Sequence, residues 1–228
     1  RPMLWRMMAI YALSQMGVGI LAPTVPVYLE EHFHLLQADL PQLLIFPALL
    51  VAAIAIPLGR LPDTIGKAKA VWISYILAAG GMILMALTSL FEPTKGLFSL
   101  PLMMFGVGIS AMIVSYILGT PAWLGLTSLQ VDNTKQAQAM SLMQTAQGFG
   151  VVCAFVLVGS VGHLLTNNTN GENSLSLWFW LSSGIFTLCL IGTLLFVREV
   201  KVKIETPQNE AAHPDAKAAN QSLEMKGL

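Results

Sequence analysis

The chain has 228 residues, of which 55% are hydrophobic and only 11% are charged. A soluble domain usually carries about 25% charged residues, so this composition excludes an ordinary soluble globular protein. The 12 basic and 12 acidic residues give a net charge of zero, and we predict no nucleic-acid partner.

Six apolar stretches follow one another along the chain, and none of them contains Asp, Glu, Lys or Arg. They run over residues 7–29, 40–59, 70–91, 98–126, 137–163 and 175–197. Each reaches the ~18 residues that mark a candidate membrane-spanning helix. The pattern predicts an all-α membrane protein with six transmembrane helices over residues 1–200. The polar composition of residues 201–228 predicts a disordered tail.

The basic residues are distributed unequally among the connections between these stretches. If the amino terminus is cytoplasmic, 11 of the 12 Lys and Arg residues lie on the cytoplasmic side, and Lys95 alone lies outside. An excess of Lys and Arg in short loops marks the cytoplasmic side of a membrane protein. We therefore predict a multi-pass protein with both termini in the cytoplasm, and we expect it in the plasma membrane.

The first and fourth stretches have a similar arrangement of helix-breaking residues. Each has a glycine-rich middle and a proline near one end, as follows: Gly17, Gly19 and Pro23 in the first, and Gly106, Gly108, Gly119 and Pro121 in the fourth. Because they are three spans apart, they cross the membrane in opposite directions. This indicates a three-plus-three inverted repeat, an architecture common among secondary transporters.

The fifth stretch has small residues at three- and four-residue spacing: Ala137, Ser141, Thr145 and Gly148. This spacing places them on one helix face, and small side chains allow two helix backbones to approach closely. The face is expected either to pack within the bundle or to move against a partner.

The connection between the second and third stretches contains Gly59, Arg60, Asp63, Gly66 and Lys67. The two glycines are expected to allow a sharp reversal of the chain. Asp63 is expected to face the amino terminus of a neighbouring helix, where the helix dipole favours negative charge. The basic residues keep this loop in the cytoplasm.

This loop resembles the one that follows the second helix of a six-helix half in the major facilitator superfamily, with the spacing Gly-x-x-x-Asp-x-x-Gly-basic. The segment 121–150 and the ending at 196–199 resemble the carboxy-terminal half of such proteins, in particular the drug–proton antiporters. Thr64 and Ala68 stand where the family usually has basic residues, and this departure favours the second half, where the motif is weaker.

The resemblance, which covers about residues 5–200, implies half of a twelve-helix fold. The chain would be a secondary active transporter, an antiporter or efflux protein that moves a small organic molecule, such as a drug or metabolite, by alternating access. Its partners would be that substrate, the lipid bilayer, and either a missing amino-terminal six-helix half or a second copy.

Five uncharged polar residues at membrane depth are candidates for the substrate pathway: Tyr11, Gln15, Tyr116, Gln144 and Gln147. They offer hydrogen bonds and aromatic rings to a substrate, although hydrogen bonds between helices would explain them equally well. The resemblance implies that the first, second, fourth and fifth helices border the cavity and that the third and sixth face lipid.

We predict no catalytic site, metal or cofactor. Glu30, Glu31, His32 and His34 lack a recognised ligand spacing and are expected on an exposed outer loop. An intramembrane protease would need an embedded histidine base, and His163 lies only at the edge of a stretch. A non-transporting scaffold or degenerate transporter half remains the alternative, because no predicted span contains the ionised residue that transport pathways often have.

Overall fold

The structure, a computed structural model, describes residues 2–35, 40–92, 99–166 and 171–197. These residues form six α-helices, one on each predicted stretch, with bounds as follows: α1 Pro2–Phe33, α2 Leu40–Ile65, α3 Lys67–Leu87, α4 Leu100–Ser128, α5 Gln136–Thr166 and α6 Gly171–Phe196. Short 3₁₀ turns follow α3 and precede α5. The predicted disordered tail lies outside the described residues.

Among the described residues, five helices are long and apolar enough to cross a membrane: α1, α3, α4, α5 and α6. Many of their large side chains are exposed, including Phe149, Leu188 and Leu195. Apolar side chains on the outside of a helical bundle are stable in lipid and unfavourable in water. The described part of the chain is therefore an integral membrane bundle.

Two groups of helices build this bundle. In one, α3 packs against α4 and α6, and α2 packs against α4. In the other, α1 packs against α5 and α6. The helices alternate in direction, so α1, α3 and α5 start at the same end of the bundle, where α2, α4 and α6 finish.

Glycines bring the backbones of the most closely packed helices into contact. A Cβ atom at Gly81 of α3 would lie 2.7 Å from the carbonyl oxygen of Gly108 on α4. Between α1 and α5, a Cβ atom at Gly19 would lie 2.8 Å from Cβ of Ala154, and one at Gly150 would collide with the carbonyl oxygen of Ala12. None of these three positions has room for a larger side chain.

The small-residue face predicted on α5 does not make these contacts. Ala137, Ser141, Thr145 and Gly148 are all exposed, and a Cβ atom at Gly148 would meet nothing within 4 Å. Within the described chain, α5 instead packs on α1 through Gly150 and Ala154. The predicted face points away from the bundle.

The connection between α2 and α3 is shorter than the sequence predicts. Helix α2 continues to Ile65, so Arg60 and Asp63 lie in its last turns, and Gly66 alone joins the two helices. Gly66 has a φ of 97°, which an L-residue adopts only with strain, so its predicted role in the reversal is confirmed. The same role for Gly59 is wrong, because Gly59 lies inside α2 with open space around it.

An aromatic cluster packs at the end of the bundle where α1, α3 and α5 finish. The ring of Tyr28 lies 5.0 Å from that of His32 and 5.4 Å from that of Phe105, centroid to centroid. The Tyr28 hydroxyl bonds to Thr88 Oγ1 at 2.8 Å, and His32 Nε2 lies 3.2 Å from the Thr88 carbonyl oxygen. The expectation that His32 is exposed is wrong, because it is buried at the end of α1.

Candidate substrate-pathway site

Three helices are joined by a chain of uncharged polar side chains that runs from the buried Tyr11 to the exposed Tyr116. The Tyr11 hydroxyl of α1 donates to Gln147 Oε1 of α5 at 3.2 Å. Gln147 Nε2 in turn donates to the Tyr116 hydroxyl of α4 at 3.0 Å. We call these three residues the tyrosine–glutamine bridge. All three were predicted from the sequence as pathway residues, and the structure brings them into direct contact.

The glycine contact between α1 and α5 positions this bridge. Gly150 lies three residues beyond Gln147, and therefore on the same side of α5, where it allows the α1 backbone to approach at Ala12. Ala12 is adjacent to Tyr11. Because the two helices touch at this level, the tyrosine hydroxyl reaches the glutamine amide.

A small cavity lies beside the bridge, between α1, α3, α4 and α6. The polar groups in its lining are mostly hydroxyls and one amide. They belong to Tyr11, Ser14, Gln15, Ser74, Tyr75, Ser115, Tyr116 and Thr120. The enclosed space is about 20 Å³, which is room for one water molecule. This space is too small for an organic molecule in this conformation.

Gln15 and Gln144, the other two predicted pathway residues, lie in different surroundings. Gln15 is 4% exposed and lines the cavity together with Tyr11 and Tyr116. Gln144 is exposed on α5 and does not line the cavity. The structure therefore groups four of the five predicted residues and places Gln144 on the outward face.

Two cavity residues were missed from the sequence, Tyr75 on α3 and Trp123 on α4. The Trp123 Nε1–H donates to the Tyr75 hydroxyl at 2.8 Å, and the Trp123 ring lies 5.9 Å from that of Tyr11. Phe186 of α6 completes this wall. Helices α3 and α6 thus contribute to the cavity in addition to any lipid-facing surface, which the family resemblance did not lead us to expect.

The predicted cytoplasmic motif divides into exposed and packed residues. Arg60 and Asp63 are exposed, and the residue at the N-cap of α3 is Gly66, which has no side chain to cap the helix. The Lys67 side chain lies across Gly125, near the carboxy-terminal end of α4. A cation there is favoured because the helix dipole is negative at that end.

The described charges lie at the two ends of the bundle. Lys and Arg occur at the end where α1, α3 and α5 start: Arg6, Arg60, Lys67, Lys69 and Lys135. Glu30, Glu31 and Glu92 lie at the other end. Between the two ends, the described helices contain polar groups without formal charge.

A bundle of membrane-length helices around a small uncharged cavity defines a polytopic membrane protein. Residues 7–224 match the family model of the Major Facilitator Superfamily. The chain belongs to this superfamily and is a membrane transporter. No curated protein and no solved structure matches it.

Proposed function

We propose that the chain is one half of a secondary active transporter that moves a small organic molecule by alternating access. The observation that carries this proposal is the tyrosine–glutamine bridge, which links hydrogen-bonding groups of α1, α4 and α5 at membrane depth. Tyr116 is 37% exposed, so one end of the bridge is accessible from outside this half. A substrate with neighbouring donor and acceptor groups can replace the Gln147 amide between the two tyrosines.

The six helices function as a three-plus-three inverted repeat. In such a repeat, α1 corresponds to α4, α2 to α5 and α3 to α6. The α1–α5 pair then corresponds to the α4–α2 pair, and the α1–α6 pair corresponds to the α4–α3 pair. All four of these pairs pack in the structure. These matches support the repeat.

The partner is an amino-terminal six-helix half or a second copy of this chain, and it covers the outward face of α5. That face has both the exposed small residues and Gln144. Small residues allow close contact between membrane helices. On this proposal Gln144 contributes to the pathway from the partner-facing side, and the chain corresponds to the carboxy-terminal half of the twelve-helix fold.

The chain is oriented with both termini in the cytoplasm and resides in the plasma membrane, where it acts as an efflux antiporter. The five described basic residues at one end of the bundle support this orientation. No predicted span has a carboxylate to bind a coupling proton. On this proposal a coupling carboxylate therefore belongs to the partner half.

The test compares cells that express the wild-type chain, Gln147→Leu or Ser160→Ala. Ser160 is an exposed α5 residue that bonds only within its own helix, to Val156 and Leu157, and is the matched control. Mass spectrometry of cells and medium identifies small molecules that are redistributed when the wild-type chain is expressed. Gln147→Leu should change the rate of this redistribution at least about fivefold, because it removes the amide that the substrate displaces, together with its two hydrogen bonds of ~0.5–1.5 kcal/mol each.

Two results would count against the proposal. If Gln147→Leu moved the same compounds at the wild-type rate, the bridge would have no role in the pathway. If the wild-type chain redistributed no compound, with or without a co-expressed partner half, the non-transporting scaffold would become the better interpretation.

A further inference from the structure

A second cavity lies at the end of the bundle where α1 and α5 begin. It is lined by Leu4 and Trp5 of α1, by Val131 and Lys135 from the connection before α5, and by Gln138, Ala139 and Leu142 of α5. Its volume is about 290 Å³, just below the ~300–1,000 Å³ typical of small-molecule sites. It is far larger than the cavity beside the tyrosine–glutamine bridge.

This cavity is separated from the bridge along the membrane normal. Trp5 precedes Tyr11 by six residues on α1, which is roughly 9 Å at 1.5 Å per residue. Gln138 precedes Gln147 by nine residues on α5, which is roughly 13 Å. The second cavity therefore lies at the level of the membrane surface, and the bridge lies deeper.

The lining has two chemically different parts. Leu4, Val131, Ala139 and Leu142 form an apolar floor, whereas Trp5, Lys135 and Gln138 provide hydrogen-bond donors at the rim. Trp5 is 69% exposed, although its indole ring is large and mostly apolar. Tryptophan is enriched at membrane–water interfaces because its ring contacts acyl chains while its N–H bonds to polar groups.

The electrostatic environment favours an anion at the rim. Lys135 is exposed and immediately precedes α5, whose first backbone N–H groups form the positive end of the helix dipole. Five basic side chains lie at this end of the described bundle, against two acidic ones, Asp63 and Asp132. The proposed orientation places this end in the cytoplasmic leaflet, where anionic lipids concentrate.

We propose that this cavity binds one anionic phospholipid of the cytoplasmic leaflet. The phosphate lies at Lys135 and accepts hydrogen bonds from the Lys135 ammonium, the Gln138 amide and the Trp5 indole. The start of the acyl chains covers the apolar floor. A lipid fits better than a free phosphate ion because a free ion would leave Leu4, Val131 and Leu142 facing water.

The full chain, purified in detergent, is titrated with phosphatidylglycerol, and binding of the first lipid is measured by native mass spectrometry. Lys135→Gln should weaken this binding about fivefold, as expected for the loss of one basic residue beside an anionic lipid. The matched control is Lys69→Gln, which removes the same charge from an exposed position at the same end of the bundle, outside the cavity. The control should bind within twofold of wild type.

Leu142→Trp provides a second variant, because it fills the cavity without changing its charge. Leu142 is 43% exposed, so the larger ring is tolerated, and first-lipid binding should fall as it does in Lys135→Gln. Equal losses in Lys135→Gln and Lys69→Gln would overturn the proposal, since they would indicate non-specific attraction to a basic surface.

Two further arms distinguish the source of the phosphate. Phosphatidylcholine should bind at least fivefold more weakly than phosphatidylglycerol, and equal binding would overturn the preference for an anionic lipid. Excess inorganic phosphate should leave phosphatidylglycerol bound. Displacement by phosphate alone would show that the site recognises a free anion and would overturn the lipid assignment.

Discussion

Gly150→Ala is expected to destabilise the bundle, whereas Gly148→Ala, two residues away on the same helix, is not. The added methyl group at Gly150 would overlap the Ala12 carbonyl oxygen and lie 3.0 Å from Cβ of Gln15. Since the overlap is with backbone, no rotamer change relieves it, and α1 and α5 must separate. At Gly148 the same methyl group meets nothing within 4 Å.

The expected cost follows from the nature of the contact. Overpacking of a well-packed core typically costs ~1–3 kcal/mol. For a chain of this size, each kcal/mol corresponds to a shift of roughly 2–4 °C in melting temperature, so Gly150→Ala should melt about 2–12 °C below wild type. Separation of the two helices also stretches the bond between Tyr11 and Gln147, so any transport by the chain should fall as well.

Unfolding is followed with a thiol-reactive fluorescent dye, which reacts with a buried cysteine of the chain once that cysteine is exposed. The Cys189 thiol is buried between α6 and α1, where it lies 3.6 Å from the Ile10 carbonyl oxygen, and the dye reaches it as the bundle opens. Both glycine variants retain the two cysteines, so their melting curves are directly comparable. Equal melting temperatures for Gly150→Ala and Gly148→Ala would refute the close backbone contact between α1 and α5.

Three other substitutions test separate parts of the structure. Trp123→Phe removes the donor to the buried Tyr75 hydroxyl and should cost ~1–3 kcal/mol, seen as a lower melting temperature in the same dye assay. Gly66→Ala introduces a side chain at a φ of 97° and should cost ~1–3 kcal/mol; an unchanged melting temperature would contradict the single-residue turn. Asp63→Asn should leave the melting temperature of the chain unchanged, because Asp63 is exposed. It should slow transport by the complete transporter if the connection between α2 and α3 acts as a latch on the cytoplasmic side during alternating access. Unchanged transport at normal expression would count against that latch.

The sequence predicted the helices well and their ends less well, for a physical reason. Hydropathy measures the apolar length that a membrane requires, whereas a helix ends where its backbone can no longer continue. Helix α2 therefore runs beyond the apolar stretch ending at 59, through Arg60 and Asp63, and stops only where Gly66 adopts a positive φ. A hydropathy boundary marks the membrane surface and leaves the helix end undetermined.

Gln147 was predicted correctly as an inward-facing residue and Gln144 was not, because the presence of two glutamines on one helix does not show which of them faces inward. The burial of the residues around Gln147 does show it. Met143, Gly150 and Ala154 are buried, and their spacing of three and four residues places them on the side of α5 that includes Gln147. Gln144 lies outside this pattern.

The missed residues Tyr75 and Trp123 have a different explanation. Tyr75 belongs to a buried face of α3 together with Val71, Ala78 and Met82, at spacings of four and three residues. The family resemblance assigned α3 to lipid, and this assignment outweighed the helical spacing. The hydrogen bond between Trp123 and Tyr75 also joins residues 48 positions apart, which no local pattern indicates.

The distribution of close contacts is compatible with the proposed rigid-body motion of this chain against a partner half. Within the chain, α1 meets α5 at Ala12 and Gly150, and α3 meets α4 at Gly81 and Gly108, backbone against backbone. Helices in such contact cannot slide far without collision, because the facing backbone atoms have no rotamer to change. The Gln147–Tyr116 bond differs, since it joins side chains at the exposed edge of the bundle and can open without separating any glycine pair. The proposed rocking of the whole bundle against a partner half would therefore preserve the glycine contacts, while the Gln147–Tyr116 bond, which a substrate would replace on that proposal, is free to break.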